Sequence, residues 1–373
     1  MPILIVWVLL IIYWILAVYS VSIHESFTLT LKIFEDPTNY FYFFRHLRNI
    51  AIAIIMALIV YRVPIKFFQK QKNVLIITVV AFLLQILVFI PGIWISLNGA
   101  RWWIDIPWLP SIQPSEFFKL AYVLFMAWWF VRKRSLIKNE NQMLISFVTI
   151  NIVFFIIFLF IPDFGSILVM WLVGLVMWLY AGMNWKKIIM LLLAGVVWVM
   201  VVGSIAGTVS KRFEYIQKRM TYFITSSDSD ESKWIGWQNE QALTAIGWWW
   251  IMWKWYGKWL QKFGYIPEAQ SDFIFSAFSE EVWFVGDLIL IGLYFYLVYY
   301  VLTKLVYIRD EDKKMLAVGI LSIIIVQAFI NMGVNLKILP NTWLTLPFIS
   351  HGGSALMVNL IELMLLYKII KNK

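Results

Sequence analysis

The sequence predicts an all-α polytopic membrane protein, and three observations carry this prediction. Hydrophobic residues make up 62% of the 373 positions, charged residues only 14%, and the mean hydropathy is +0.80. Apolar stretches recur that are long enough to cross about 30 Å of hydrocarbon as helices. Because backbone polar groups inside lipid need partners within the protein, helices are the only spanning structures compatible with this hydropathy. The composition excludes an ordinary soluble domain and a disordered chain.

About ten transmembrane helices are predicted within a single membrane domain of residues 1–373. The first lacks a basic n-region and a clear cleavage site, which predicts a retained helix. A long extracytoplasmic loop, 208–271, precedes the eighth helix. Its polar run at 225–233 indicates a flexible first half, and we expect the second half to contribute to a site because such long loops are often functional. The predicted spans are approximately 3–22, 46–62, 74–91, 114–131, 144–161, 164–183, 188–207, 280–303, 315–336 and 347–368.

The basic residues predict the orientation in the membrane. Seventeen of the 31 Lys and Arg residues fall in the short loops and tail of one side, so the positive-inside rule places both termini in the cytoplasm. The net charge of +10 therefore reflects topology, and no nucleic acid partner is predicted. The absence of cysteine excludes disulfides and thiolate chemistry. The histidines show no metal-ligand spacing, so no zinc site is predicted; they are His24, His46 and His351.

Four acidic residues lie within the segment 267–281, which has the sequence PEAQSDFIFSAFSEE. In a chain with only 21 acids this cluster is the leading candidate for chemistry, because acids beside a membrane need water, cations or a polar ligand. If Asp272 begins a helix, Ser276 and Glu280 share its face, with Glu281 about 100° round. The alternative is that the acids cap the helix start and interact favourably with its dipole.

The loop before the fourth predicted span carries a second group of charged residues. Pro114 suits the first turn of a helix, so Gln113 or its neighbour would cap it. Glu116 and Lys119 are three residues apart and face the same way on that helix. Arg101 on the adjacent loop, together with Lys119, could clamp a pyrophosphate. The alternatives are a structural ion pair between helices and an ordinary interfacial arginine.

Two further features lie near the last two spans. The segment 339–354 contains two prolines and a Gly-Gly pair, which indicates a broken helix lining protein or a wet cavity. Ser350 and Ser354 would then offer hydroxyls inward, unless the break is only a structural kink. On the ninth span three amides recur every four residues and form one polar stripe, which either ties helices together or lines a substrate groove. These amides are Gln327, Asn331 and Asn335.

Four motifs in this order resemble the SEDS family, the FtsW/RodA cell-wall polymerases of bacteria. They are QPSEFFK at 113–119, PDFGS at 162–166, PEAQSDFIFSAFSEE at 267–281 and LPFISHGGS at 346–354. The resemblance extends over nearly the whole chain and is slightly closer to FtsW than to RodA. It implies a peptidoglycan glycosyltransferase that polymerises lipid II at the outer face of the bacterial cytoplasmic membrane. Within this family the aspartate of the PEAxxDFIF motif, here Asp272, is regarded as essential for polymerisation.

The resemblance also implies roles and partners. Asp272 is expected to be the general base of an inverting glycosyl transfer. A divalent cation, Mg or Mn, is expected, although no ligand motif is present. The expected partners are a class B penicillin-binding protein transpeptidase and other divisome or elongasome membrane proteins. The alternatives are a lipid II flippase and a non-catalytic scaffold for a transpeptidase. The expected substrate-binding residues are Arg101, Glu116, Lys119, Glu268, Glu280, Glu281, Ser350 and Ser354.

Tryptophan usage departs from the family pattern. The chain has 22 Trp against 18 Gly, and several Trp residues stand where the family usually has glycine or another small residue, among them 248–250 and Trp343. Glycine serves where φ is positive or backbones approach closely, which tryptophan cannot do repeatedly. One interpretation is an aromatic belt at the membrane surface. The preferred hypothesis is that UGA codons, read as glycine in the source lineage, have been translated as tryptophan.

Overall fold

The computed structural model describes most of the 373 residues. The described residues are 2–33, 38–90, 92, 94–97, 100–104, 111–133, 139–161, 163–195, 197, 219, 223, 230–247 and 270–371.

The described secondary structure is almost entirely helical. Residues 185–195 form a further helical stretch, and the two strands form a small antiparallel hairpin that pairs Trp94 with Ile104. The elements are α1 (Pro2–Val21), α2 (Ile23–Ile33), α3 (Phe41–Arg62), α4 (Gln71–Leu87), β1 (Trp94–Leu97), β2 (Ala100–Ile104), α5 (Pro114–Arg132), α6 (Glu140–Phe155), α7 (Phe164–Tyr180), α8 (Asp230–Gly247), α9 (Ile274–Leu305), α10 (Glu311–Asn335) and α11 (Gly353–Lys371).

Each of the ten predicted spans contains described helical residues, and the predicted all-α fold class is confirmed. Among the described residues, five helices are long and apolar enough to cross a membrane: Phe41–Arg62, Glu140–Phe158, Phe284–Leu305, Glu311–Asn335 and Gly353–Lys371. Shorter apolar helices cover Val8–Val21, Gln71–Leu87 and Phe164–Tyr180. The fourth span corresponds to α5, and the seventh is described only over 185–195. The chain is an integral membrane protein.

Two of the boundaries that differ from the predicted spans lie next to the acidic cluster and the Gly-Gly pair. Helix α9 has 32 residues and begins at Ile274, six residues before the predicted span. At about 1.5 Å per residue, the helix is longer than the hydrocarbon core is thick. Its first residues, 274–280, are buried and directly follow the turn at 270–272. Helix α11 begins at Gly353, later than the predicted residue 347, because the backbone over 339–352 is not helical. The predicted break in the last span is therefore present.

The chain divides into two compact units. The first consists of Met1–Ile52, Val202–Tyr300 and Gln327–Gly352. Within this unit, Ala242 and Ala245 of α8 pack with Val21, Phe273 and Ala277 in one buried cluster. Part of the predicted long loop is thus a helix that supports the start of α9. The remainder of the polar run at 225–233, before Asp230, lies outside the described residues.

The second unit consists of Ala53–Val201, Val301–Val326 and Gly353–Lys373. Its core is aromatic: Tyr122 of α5 is fully buried, and its hydroxyl donates to Asn151 Oδ1 of α6 at 2.9 Å. The motifs at 113–119 and 162–166 each contain the start of a helix in this unit. Pro114 occupies the first turn of α5 after Gln113 at the N-cap position. Asp163 caps α7 by accepting from the backbone N of Ser166 at 3.0 Å.

Candidate active site

Asp272 lies in a turn immediately before α9, in the first unit. Asp272 does not itself begin the helix, since α9 starts two positions later, at Ile274. Asp272 is partly exposed, whereas Phe273 and Ile274 are 2% and 0% exposed. The residues that follow Asp272 are therefore buried, whereas part of the surface of Asp272 itself remains accessible.

The main-chain carbonyl of Asp272 is held by two amides of α10. Asn331 Nδ2 donates to it at 2.9 Å and Asn335 Nδ2 at 3.0 Å. Asn335 Oδ1 in turn accepts from the backbone N and the hydroxyl of Ser276, at 3.1 and 2.6 Å. Because an early N–H of a helix has no partner within the helix, Asn335 acts as a cap supplied from another helix. The predicted polar stripe thus holds the turn of Asp272.

The two residues before Asp272 are held in the same way by the segment that precedes α11. The backbone N of His351 donates to the carbonyl of Gln270 at 2.8 Å. The Ser350 hydroxyl donates to the carbonyl of Ser271 and accepts from the backbone N of Leu346. The carbonyls of three successive residues, 270–272, therefore each accept at least one hydrogen bond from α10 or from this segment. We call these donors the carbonyl clamp; they are Asn331, Asn335, Ser350 and His351.

Arg219 is a residue of this site that the sequence reasoning missed. It is 7% exposed, and its Nη1 donates to the carbonyl of Asn341 at 2.8 Å. Its guanidinium lies 4.3 Å from the ring centroid of Trp343. Burial lowers the pKa of Arg219 to about 9, and the Asp272 carboxylate acts in the opposite direction. Arg219 belongs to a long loop with several other basic residues, so no periodicity distinguished it.

Trp343, which stacks under Arg219, has an unusual backbone conformation. Its φ is 52°, in the left-handed region that disfavours a bulky side chain. The family-based expectation of glycine at this position therefore coincides with a backbone conformation that suits glycine. The Trp residues at 248–250 lie outside the described residues.

Glu116 and Lys119 form the ion pair predicted from their spacing on α5, in the second unit. Lys119 Nζ lies 2.9 Å from Glu116 Oε2, and the side chains are 1% and 4% exposed for Lys119 and Glu116. Glu362 on α11 is completely buried in the same unit and interacts electrostatically with both. An ion pair buried this deeply needs both partners, since removing one leaves an uncompensated charge.

The Ser354 hydroxyl joins the starts of two helices in the second unit. Its oxygen accepts from the backbone N of Gln113 at 2.8 Å and donates to the carbonyl of Ser111 at 2.9 Å. Ser350 and Ser354 thus both use their hydroxyls to hold backbone. Ser350 thereby fixes the backbone before Asp272, and Ser354 fixes the backbone before α5.

The other expected site residues are described only in part. Glu280 is 6% exposed on α9. The side chains of Arg101 and Glu281, and all of Glu268, lie outside the described residues. Within the described parts of the chain, no three His, Cys, Asp or Glu side chains converge as metal ligands. No catalytic step is therefore assigned to a metal.

Known sequences similar to this chain include a family profile and several curated relatives. The family profile of FtsW, RodA and SpoVE, described as "Cell cycle protein", matches residues 1–373. The "Probable peptidoglycan glycosyltransferase FtsW" of Hydrogenovibrio crunogenus is 31% identical, over 93% of this chain and 88% of the relative. Its namesake from Alkalilimnicola ehrlichii is 32% identical, over 94% of this chain and 83% of the relative.

Solved structures share the fold. One, described as "Structural coordination of polymerization and crosslinking by a peptidoglycan synthase complex", matches with a TM-score of 0.72 at 21% identity, over 98% of this chain and 97% of the other. The Rod shape determining protein RodA of Thermus thermophilus matches with a TM-score of 0.64 at 20% identity, over 98% and 96%. With a family profile that matches the whole chain and relatives above 30% identity, this chain belongs to the FtsW, RodA and SpoVE family of cell cycle proteins.

Proposed function

We propose that this protein is a peptidoglycan glycosyltransferase that polymerises lipid II into glycan strands at the outer face of the cytoplasmic membrane. The observation that carries the proposal is Asp272, partly exposed on a turn whose carbonyls are held by the carbonyl clamp. A rigid backbone keeps a reactive carboxylate in one orientation, which is what proton abstraction from a bound sugar requires. The name shared by the curated relatives supports the same reaction.

In the proposed reaction Asp272 acts as the general base. Its carboxylate takes the proton of the acceptor sugar's 4-hydroxyl, and the hydroxyl oxygen attacks the anomeric carbon of the donor strand. The bond from that carbon to undecaprenyl pyrophosphate breaks, and the pyrophosphate leaves with the bonding electrons. The configuration at the anomeric carbon is inverted. The Arg219 guanidinium interacts electrostatically with Asp272 and places a positive charge near the proposed base.

The second requirement of the reaction is stabilisation of the negative charge that develops on the leaving pyrophosphate. Arg101 is proposed to grip it, since a guanidinium binds phosphate oxygens in a forked geometry. Lys119 already has Glu116 as its partner at 2.9 Å, so its contribution would come from a pair that is neutral overall. The remaining proposed substrate contacts are Glu268, Glu280, Glu281, Ser350 and Ser354. A Mg or Mn ion, expected from the family, would add positive charge, but no step above depends on it.

The proposed cellular setting follows from topology and family. We propose the bacterial inner membrane, with both termini in the cytoplasm, because the basic residues are concentrated in the short loops of one side. A class B penicillin-binding protein transpeptidase is the proposed partner, together with other divisome or elongasome proteins. The related structure that couples polymerisation with crosslinking supports such a partnership. The role is cell division or cell-shape maintenance.

The test is lipid II polymerisation by purified Asp272→Asn protein in detergent. The variant keeps the size of the side chain and its hydrogen bonds but removes the base. We expect a folded, membrane-inserted protein whose polymerisation rate falls by about 10²–10⁴. Glu280→Gln is the matched control and should be affected less, since it neutralises a nearby acid that is assigned only to substrate binding. Normal glycan synthesis by a well-folded Asp272→Asn protein would contradict the proposal and favour the flippase or the scaffold.

A further inference from the structure

Two of the three histidines form a partly buried pair in the first unit, although 305 positions separate them in sequence. The Nδ1 atoms of His46 and His351 are 2.9 Å apart, and the ring centroids are 5.0 Å apart with a tilt of 38°. His46, on α3, is 1% exposed. Two ring nitrogens at this distance share one proton, so one Nδ1 donates and the other accepts. The pair therefore selects one tautomer for each imidazole.

The pair is connected directly to the backbone that carries Asp272. The main-chain N of His351 donates to Gln270 at 2.8 Å, and the preceding residue, Ser350, donates through its hydroxyl to Ser271. A rotation of the His351 backbone would therefore move two donors of the carbonyl clamp together. The imidazole contact with His46 opposes that rotation by anchoring His351 to α3.

The surroundings keep His351 neutral. Burial lowers its pKa to about 4, and the positive charges of Arg45 and Arg48 on α3 act in the same direction. The ring of Tyr42, also on α3, packs edge-on against the His351 imidazole at 5.6 Å. Among the described residues, Arg45 and Arg48 act on this imidazole through their charge, and the titratable side chains of Tyr42 and His46 contact it. A neutral partner is what a hydrogen bond with one shared proton requires.

We propose that His46 and His351 form a positioning pair for Asp272, which holds the carbonyl clamp in the geometry needed for proton abstraction. The inference rests on the proposed role of Asp272 as the general base. In this proposal both imidazoles act through the backbone of residues 270–272. Loss of the pair therefore lowers the rate of the chemical step more than it weakens substrate binding.

The pair also predicts a dependence on pH. The unfolded chain takes up a proton at His351 near 6.5, whereas the folded protein does so only near 4. Below pH 6.5 the unfolded state thus binds more protons, so the stability provided by the neutral pair is complete above 6.5 and is lost as the pH falls towards 4. We expect the melting temperature of the wild type to fall over this window, and the fall to be smaller in His351→Phe.

The kinetic test compares two substitutions of His351. His351→Phe keeps an aromatic ring beside Tyr42 but removes the shared proton, and kcat for lipid II polymerisation should fall roughly 10- to 100-fold with KM nearly unchanged. His351→Gln should recover most of the rate, because an amide can still bond to His46. The double variant with His46→Phe should be no slower than His351→Phe alone, since both changes break the same contact.

A matched control is Thr30→Val, in the same unit. Thr30 is fully buried and its hydroxyl donates to the carbonyl of Ser26 at 2.7 Å, so it is not one of the donors of the carbonyl clamp. This change should lower the melting temperature without changing kcat. A full kcat in His351→Phe, equal losses in the Phe and Gln variants, or additive losses in the double variant would each overturn the positioning role.

Failure of this inference can be told apart from failure of the proposed function. An inactive Asp272→Asn protein together with a fully active His351→Phe protein would overturn only the histidine pair. An active Asp272→Asn protein would overturn the general base itself. If His351→Phe does not fold, the His351→Gln variant and the wild-type pH profile give the answer, and a wild-type melting temperature that is constant between pH 7 and about 4.5 would contradict the pair.

Discussion

Replacing Asn335 by Ala removes the side chain that connects the turn of Asp272 to the first turn of α9. Its amide makes hydrogen bonds of 3.1 and 2.6 Å with Ser276 and one of 3.0 Å with the Asp272 carbonyl. A hydrogen bond contributes about 0.5–1.5 kcal/mol net, and an orphaned buried donor costs about 1–3 kcal/mol. The Asp272 carbonyl keeps Asn331 as a donor, so the groups that lose their partner are the N–H and the hydroxyl of Ser276. We expect a loss of about 2–4 kcal/mol in the free energy of unfolding.

The same change should slow polymerisation, because Asp272 is then held by one amide instead of two. A misplacement of about 1 Å can lower a rate by about 10², so we expect kcat to fall roughly 10- to 100-fold. The assays are unfolding in mild detergent and lipid II polymerisation at saturating substrate. Asn151→Ala is the matched control, since Asn151 is a buried amide bonded to Tyr122 at 2.9 Å in the second unit; it should lose stability but keep kcat. Unchanged stability and rate in Asn335→Ala would refute the reasoning.

Two further predictions concern the rest of the site. Trp343→Gly should be more stable than Trp343→Ala by about 1 kcal/mol, because both lose the contact with Arg219 but only glycine relieves the positive φ of 52°; equal melting temperatures would exclude backbone strain at this position. Single Ala substitutions at Glu116 or Lys119 should each destabilise the protein more than the double substitution, because each leaves one charge buried and unpaired; strict additivity in a double-mutant cycle would show that the two do not interact.

The fold class and the spans could be predicted from the sequence. A membrane helix needs about 20 consecutive apolar residues because the bilayer has a fixed thickness. Each span can therefore be recognised from its own hydropathy, without information on the helices that pack against it. The helix start at Pro114 and the ion pair of Glu116 with Lys119 were predictable for the same reason, since they depend on residues one helical turn apart. The cluster of four acids at 267–281 also predicted that Asp272 belongs to the active site.

The sequence by itself therefore predicted the membrane helices, the family that the chain resembles and the aspartate that carries the proposed chemistry. Only the tertiary structure decided how that aspartate is held. Asn331 and Asn335 reach its carbonyl from 59 and 63 positions away, and the pairing of His46 with His351 joins residues 305 positions apart. The physical reason is that a hydrogen bond depends on distance and direction in space. Periodicity along one helix shows which residues share a face, but not which distant backbone group that face meets.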